Sequence, residues 1–157
     1  MEFGGCFLNK RLNRNNDGGT TRRTTDIFQL ATTVLFQNPV QNFALAPNNL
    51  KDVSPVCMDY MKTIPTTWDE TCFIDGYPGK YVVLARRHND TWYLAAVNAG
   101  KETLKLKLDL EMFAGKTVTL YKDDKKGEPQ LVPLKVKENG KVQLEILPQG
   151  GAVLVNK

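Results

Sequence analysis

The residues of this chain that could perform chemistry lie mainly in the stretch Trp68-Asp69-Glu70. Two carboxylates beside a tryptophan are typical of sugar-cleaving sites, because one carboxyl group protonates the leaving oxygen while the other attacks or activates water. Adjacent residues of a strand, however, point to opposite faces of a sheet. Asp69 and Glu70 therefore cannot easily flank one substrate. The favoured interpretation is structural, with Trp68 filling the seam between two parts of the chain.

Other groups with chemical potential are isolated along the sequence. The triplet Arg86-Arg87-His88 could bind an anion, but it lies at a strand end near a turn, so a solvated sheet edge is favoured. Residues 122–126, which carry acidic and basic side chains, are interpreted as a charged loop. His88 is the only histidine, and no C-x-x-C spacing joins the three cysteines. The sequence therefore predicts neither a metal site nor a complete catalytic set.

The composition of the 157-residue chain excludes several classes of protein. Hydrophobic residues make up 41%, which is enough for a core, and the net charge of +4 is mild. Lysines alternate with leucines over 104–108, whereas a nucleic-acid groove needs clustered basic residues with stacking aromatic rings. No apolar run approaches the ~20 residues that span a bilayer, and residues 1–5 lack the features of a signal peptide. Neither nucleic acid nor a membrane is an expected partner.

The first part of the chain predicts a helix, a buried strand and a second helix. Apolar residues recur at helical spacing within residues 25–37, namely Ile27, Leu30, Ala31, Val34 and Leu35. This helix should pack through that apolar face and end at Asn38-Pro39. Residues 40–46 predict a buried strand of the parallel type, and residues 54–62 predict a second helix with Pro55 in its first turn. Such an order is one α/β repeat, too short to close an eight-stranded barrel of about 250 residues.

From Trp68 onward the apolar residues alternate with polar ones, which predicts strands. The expected strands span 68–74, 80–88, 91–98, 102–109, 117–123, 131–137, 141–147 and 151–156. Asn139-Gly140 is typical of a tight type I′ hairpin, because both residues accept positive φ angles. Eight short strands at this spacing predict an antiparallel β-sandwich.

Five short segments of the chain, taken together, resemble glycoside hydrolase family 97 in order and spacing. The segments are Phe28–Ala31, Pro39–Gln41, Pro65–Thr71, Ala85–Arg87 and Trp92–Tyr93. That family comprises bacterial α-glucosidases and α-galactosidases, common in gut Bacteroidetes, with an N-terminal β-sandwich, a central (β/α)8 barrel and a C-terminal β-sandwich. The resemblance implies that residues 1–63 form the end of the barrel and residues 64–157 the C-terminal sandwich. The expected fold is thus mainly β, an eight-stranded antiparallel sandwich preceded by a helix-strand-helix remnant of the barrel.

The resemblance also bears on site residues. The family's general acid, its base or nucleophile and the calcium-binding carboxylates of its glucosidase branch correspond to sequence upstream of Met1, so no catalytic or metal-binding role transfers to this chain. Residues 1–3 and 39–46 are similar to the seventh and eighth barrel strands. Because barrel active sites form at the C-terminal ends of the strands, Glu2, Asn48 and Asn49 are the expected substrate contacts. Trp68 and its acidic neighbours would lie at the opposite end of the barrel.

The function implied by the resemblance is that of a fragment. The intact enzyme would hydrolyse α-linked oligosaccharides outside the cytoplasm, in the periplasm or after secretion, although this chain shows no signal peptide. The chain would hold no cofactor, with calcium left to the intact enzyme, and would be inactive alone. Its sandwich would support the barrel and help subunits associate into a homo-oligomer. Two alternatives remain: a free-standing carbohydrate-binding module and a purely structural interaction domain.

Overall fold

The computed structural model describes residues 8–10, 21–45 and 47–156, except for the side chains of Asn48 and Asn49. Within these ranges two α-helices precede eight strands. The elements are α1 (Asp26–Leu35), a 3-10 helix (Pro47–Asp52), α2 (Pro55–Met61), β1 (Glu70–Tyr77), β2 (Tyr81–His88), β3 (Thr91–Asn98), β4 (Leu104–Asp109), a second 3-10 helix (Glu111–Phe113), β5 (Thr117–Asp123), β6 (Pro129–Lys135), β7 (Lys141–Ile146) and β8 (Gly151–Val155). All eight predicted strands are present, and the fold is mainly β. No helix in the described ranges is long and apolar enough to cross a bilayer.

The strands form two antiparallel sheets. The larger has the order β1-β2-β3-β8-β5-β6, and the smaller consists of β4 and β7. In β4, Leu106 and Leu108 are buried whereas Lys105 and Lys107 face solvent, so the alternation seen in the sequence places one face of this small sheet against the large one. The result is the predicted sandwich.

The centre of the six-stranded sheet is buried on both faces. In β3, Leu94 and Ala96 pack toward the two-stranded sheet, whereas Tyr93, Ala95 and Val97 pack toward the helices. Strand β8 behaves in the same way, and each of its five residues is buried. A strand with two buried faces needs a continuous apolar run instead of a strict alternation. The helices thus form a third layer over the sheet.

Helix α1 is the main element of that layer. Thr25 is its N-cap, and the Thr25 hydroxyl accepts a hydrogen bond from the backbone N–H of Phe28 at 3.1 Å. The predicted apolar face is confirmed, because Ile27, Leu30 and Val34 are fully buried against the sheet. A Cβ atom added to Gly151 would lie 2.8 Å from the backbone of Ile27, so only glycine permits this close approach of the helix to β8.

One expected strand is absent. Residues 40–45 form no ladder beyond an isolated bridge at Gln41, so the predicted strand at 40–46 is wrong for the described part of that segment, and the order is not helix, strand, helix. Val40 is 50% exposed. An apolar run forms a buried parallel strand only where neighbouring strands offer hydrogen bonds, and no described strand other than those of the two sheets is available here.

The predicted hairpin at Asn139-Gly140 is also wrong. Strand β6 pairs with β5 and strand β7 pairs with β4, so these two residues connect strands of different sheets. Gly140 has φ of 68°, but Asn139 is not among the described residues with positive φ, which a type I′ turn requires. The turn residues mark the reversal correctly, while packing of the sheets decides the pairing.

Candidate functional site

The structure describes little of the three residues predicted to contact substrate. Glu2 lies outside the described residues. Asn48 and Asn49 lie in the 3-10 helix Pro47–Asp52, with side chains that are likewise not described. Their role toward substrate stays a prediction.

The carboxylates of Asp69 and Glu70 converge on one arginine. Arg87 lies 3.7 Å from Asp69 and 3.3 Å from Glu70, and Asp69 also accepts a hydrogen bond from the backbone N–H of Asn89 at 2.7 Å. The expectation that the two carboxylates point to opposite faces is wrong, because β1 begins at Glu70 and Asp69 precedes it. Both carboxylates form surface ion pairs with Arg87, beside the turn at Asn89. Within the described ranges no cluster of three or more metal-ligating side chains occurs.

Arg86 corrects a second expectation. Strand β2 lies between β1 and β3 and is not a sheet edge. Its residues Val83 and Ala85 pack into the sandwich core, so Arg86 faces the helix layer, where it is only 1% exposed. Its Nη1 donates a hydrogen bond to the carbonyl oxygen of Phe36 at 2.9 Å, directly after α1. The loss of solvent lowers the pKa of the Arg86 guanidinium below its ordinary value. The Nε and Nη2 atoms of Arg86 are buried and have no hydrogen-bond partner among the described residues.

Trp68 completes this junction. Its ring lies 5.7 Å from the guanidinium carbon of Arg86 and meets the ring of Tyr93 edge-on at 5.3 Å. The predicted role of Trp68 in the seam is confirmed. The positive charge of Arg86 lies near the last carbonyl groups of α1, where it stabilises the negative end of the helix dipole. We call Arg86, Trp68 and Phe36 the C-terminal clamp, because they fix the end of α1 to β2.

A second polar group fixes the other end of α1. The Asp123 Oδ2 atom accepts hydrogen bonds from the Thr25 hydroxyl at 2.8 Å and from the backbone N–H of Gly151 at 3.1 Å. Arg22 forms an ion pair with Asp26 in the first turn. We call Asp123, Thr25 and Gly151 the N-terminal clamp, because they join the start of α1 to β5 and β8.

Asp123 was missed by the expectation of a charged loop over residues 122–126. It is the last residue of β5 and is buried. The available signal was its position two residues after Tyr121, since residues i and i+2 of a strand share a face. Burial raises the pKa of Asp123 to about 6, although hydrogen bonds from Gly151 and Thr25 oppose the shift.

The contacts at the two ends of α1 suit docking of the helix on the sheet. A shallow cavity of about 370 Å³ opens beside the C-terminal clamp and is lined mainly by residues 37–39 and 66–68. The rings of Trp92, Tyr93 and Tyr121 offer no open platform for a sugar, because Tyr93 and Tyr121 are buried and Trp92 packs against the core of the sandwich. The described side chains thus hold the helices against the sheet.

Replacing Arg86 by alanine tests the C-terminal clamp. We expect Arg86→Ala to lower the free energy of unfolding by about 2–4 kcal/mol, because the Phe36 carbonyl loses its donor and a buried volume is emptied. Urea unfolding measures this loss. Arg87→Ala on the same strand is the matched control and should cost less than about 1 kcal/mol, since its ion pairs are exposed. Equal losses in the two variants would contradict the clamp.

The pKa of Asp123 predicts a pH dependence of stability. A folded-state pKa of about 6, above the ordinary value of 3.8, means that the folded chain binds the proton more tightly. Stability is therefore greatest below about pH 4 for this group and falls as the pH rises through 6, by about 3 kcal/mol in all. Urea unfolding between pH 4 and pH 7.5 measures the decline, which Asp123→Asn should flatten.

Asp124 is the matched control for this pH profile. Hydrogen bonds from the backbone N–H groups of Glu128 and Lys126 lower the pKa of Asp124, so its contribution is lost only at acidic pH, as the pH falls through that lowered value. Asp124→Asn should leave the decline between pH 4 and pH 7.5 intact. A decline that survives Asp123→Asn would show that another group causes it.

Comparison with known proteins agrees with this architecture. A family profile described as "Glycosyl-hydrolase 97 C-terminal, oligomerisation" matches residues 67–156. A retaining alpha-galactosidase of Bacteroides thetaiotaomicron is 29% identical over 80% of this chain and 20% of that protein. A probable retaining alpha-galactosidase of Streptomyces bingchenggensis is 32% identical over 48% of this chain and 12% of that protein. The chain thus spans a fifth or less of the length of these curated relatives.

Solved structures give the same result. The crystal structure of a beta-arabinopyranosidase superposes on 99% of this chain with a TM-score of 0.97 and 85% identity, and the match covers 25% of that protein. A glycoside hydrolase family 97 enzyme from Pseudoalteromonas sp. strain K8 superposes with a TM-score of 0.78 and 23% identity, over 99% of this chain and 26% of that protein. The chain belongs to the family of glycosyl-hydrolase 97 C-terminal domains.

Proposed function

We propose that this chain is the C-terminal part of a glycosidase and acts there as a supporting and self-associating domain. The observation that carries this proposal is the 85% identity to a quarter of a beta-arabinopyranosidase, which extends over the helix layer as well as the sandwich. The described residues offer two clamps that dock α1 on the sheet and no set of groups for bond cleavage. A supporting domain requires side chains that hold its helices on its sheet, and the two clamps supply such side chains.

The division of the chain follows from the same proposal. Residues 1–63 would be the end of a catalytic (β/α)8 barrel, and residues 64–157 the C-terminal sandwich. The start of the family match at residue 67 supports this boundary. The clamps would then fix the barrel's last helices to the sandwich. In the intact enzyme Glu2, Asn48 and Asn49 would contact the substrate.

For the substrate of the intact enzyme we propose an arabinopyranoside first and an α-galactoside second. The reason is the difference between 85% identity to the beta-arabinopyranosidase and 29% identity to the alpha-galactosidase. The two candidate substrates differ in one group, because an arabinopyranoside lacks the hydroxymethyl group that a galactoside carries on its ring. Calcium in the intact enzyme and a periplasmic or secreted location remain predictions.

A chimaera tests the supporting role. We expect the 157-residue chain alone to show no turnover of aryl β-arabinopyranosides, α-galactosides or α-glucosides. Substituted for the matching quarter of the beta-arabinopyranosidase, it should preserve that enzyme's hydrolysis within about tenfold, because the two folds superpose closely. The unmodified enzyme and a version truncated before this segment are the controls. Turnover by the chain alone, or a folded chimaera without activity, would contradict the proposal.

A carbohydrate-binding module is the second candidate function. The observation that favours it is the exposure of the Phe73 and Tyr77 rings on β1, since sugars stack on exposed aromatic side chains. Calorimetric titration with arabinose and galactose separates the two functions. A binding module would give a saturable heat, whereas a supporting domain would not.

A further inference from the structure

Three buried N–H groups at the C-terminal clamp have no hydrogen-bond acceptor among the described residues. Two are the Nε and Nη2 groups of Arg86, and the third is the indole Nε1 group of Trp68. A buried polar group without a partner costs free energy, and native structures seldom keep one unless an ion or a ligand satisfies it. Three such donors at one junction therefore indicate a site for an acceptor.

The two unpaired donors of Arg86 form one edge of its guanidinium group. The Nη1 group lies on the other side and donates to the Phe36 carbonyl oxygen at 2.9 Å. The N–H bonds of Nε and Nη2 are parallel, and their spacing matches the two oxygens of a carboxylate. The geometry of that edge thus favours a planar carboxylate, which accepts both hydrogen bonds at once.

The charge of Arg86 has no counter-ion among the described residues. The nearby carboxylates of Asp69 and Glu70 both pair with Arg87 instead. The Trp68 ring, 5.7 Å from the guanidinium carbon, offsets part of the charge. A buried charge is nevertheless costly unless an opposite charge accompanies it. A water molecule could accept the hydrogen bonds but would leave the charge uncompensated, whereas a carboxylate would supply both.

Arg22, just before the start of α1, is a useful comparison. Its side chain is 8% exposed and also has unpaired N–H groups, but its charge is compensated by the ion pair with Asp26. Arg86 combines unpaired donors with an uncompensated charge. This combination favours the C-terminal clamp as the place where an anion binds.

The cavity of about 370 Å³ beside the C-terminal clamp has room for a small carboxylate. Arg86 and Trp68 both line it, and Arg86 is the one charged residue among the described residues that do so. Four other lining residues are polar and exposed, namely Gln37, Thr66, Thr67 and Thr71. Exposed side chains change rotamer rapidly, so a small anion can reach the buried edge of Arg86 when one of them turns away.

We propose that this cavity is a carboxylate-binding site, in which the Nε and Nη2 groups of Arg86 donate to the two carboxylate oxygens and the Trp68 indole donates to one of them. The inference goes beyond the supporting role proposed above and does not depend on it. The carboxylate belongs either to a small free acid or to an acidic side chain of another polypeptide segment. The chemistry of recognition is the same in both cases.

Acetate is the probe for this site, and nuclear magnetic resonance of the indole N–H groups is the readout. The chain has two tryptophans, Trp68 and Trp92, so the spectrum contains two indole signals. We expect sodium acetate at neutral pH and constant ionic strength to shift the Trp68 signal saturably, together with the Arg86 Nε–H signal. The Trp92 signal is the internal control and should stay in place, because Trp92 packs against the core of the sandwich.

Two variants test the role of the Arg86 edge. Arg86→Lys keeps the positive charge but lacks the parallel pair of donors, so it should weaken acetate binding by about tenfold or more. Arg87→Lys is the matched control on the same strand and should bind acetate like the unchanged chain. If circular dichroism shows that Arg86→Lys does not fold, the Arg86 Nε–H signal of the unchanged chain decides, since it has to move with acetate.

The absence of a saturable shift at Trp68 and Arg86 would overturn the proposal, and bound water would then be the acceptor. Equal affinity of a folded Arg86→Lys variant for acetate would also overturn it. The chimaera described above distinguishes the two sources of the carboxylate. An acidic side chain of the preceding polypeptide would hold the Trp68 signal at the acetate-bound position before acetate is added, whereas a free acid as the natural ligand would leave that signal responsive to acetate. Either of these two results supports the site.

Discussion

The structure depends on the burial of both faces of β3 and β8. These strands lie at the centre of the six-stranded sheet, and their side chains are apolar toward the sandwich core and toward the helices. Without the helix layer, residues such as Tyr93, Val153 and Val155 would face water, at a cost proportional to the exposed apolar area. The sandwich therefore needs α1 as much as α1 needs the sandwich.

Polar groups at both ends of α1 turn this apolar contact into a defined docking geometry. Apolar burial alone is not directional, whereas hydrogen bonds from Arg86 to Phe36 and from Thr25 to Asp123 fix the helix along its axis. Gly151 sets the distance between helix and sheet. Under the proposed function, these contacts would hold the last helices of a catalytic barrel on the sandwich.

Most of the fold could be predicted from the sequence, because alternation in the strands and the helical spacing of Ile27, Leu30 and Val34 are local signals. The predictions that proved wrong depend on contacts between distant parts of the chain. Residues 40–45 are mostly apolar but form no strand ladder, Asn139-Gly140 marks a reversal between two sheets, and Arg86 lies inside the sheet rather than at its edge. The role of Asp123 was missed for the same reason, since Asp123 and Thr25 are 98 positions apart. The family resemblance was confirmed, while the substrate contacts stay predictions.

Native-state hydrogen exchange tests the central claim most directly, namely that the helix layer and the sheet unfold as one unit. The account predicts that the amides of Leu30 and Ala31 in α1 exchange with the same free energy as those of Ala95 in β3 and Leu154 in β8. Exchange of the α1 amides through an opening that costs at least about 2 kcal/mol less than global unfolding would contradict the account. The helices would then be a separate layer that the sandwich does not require.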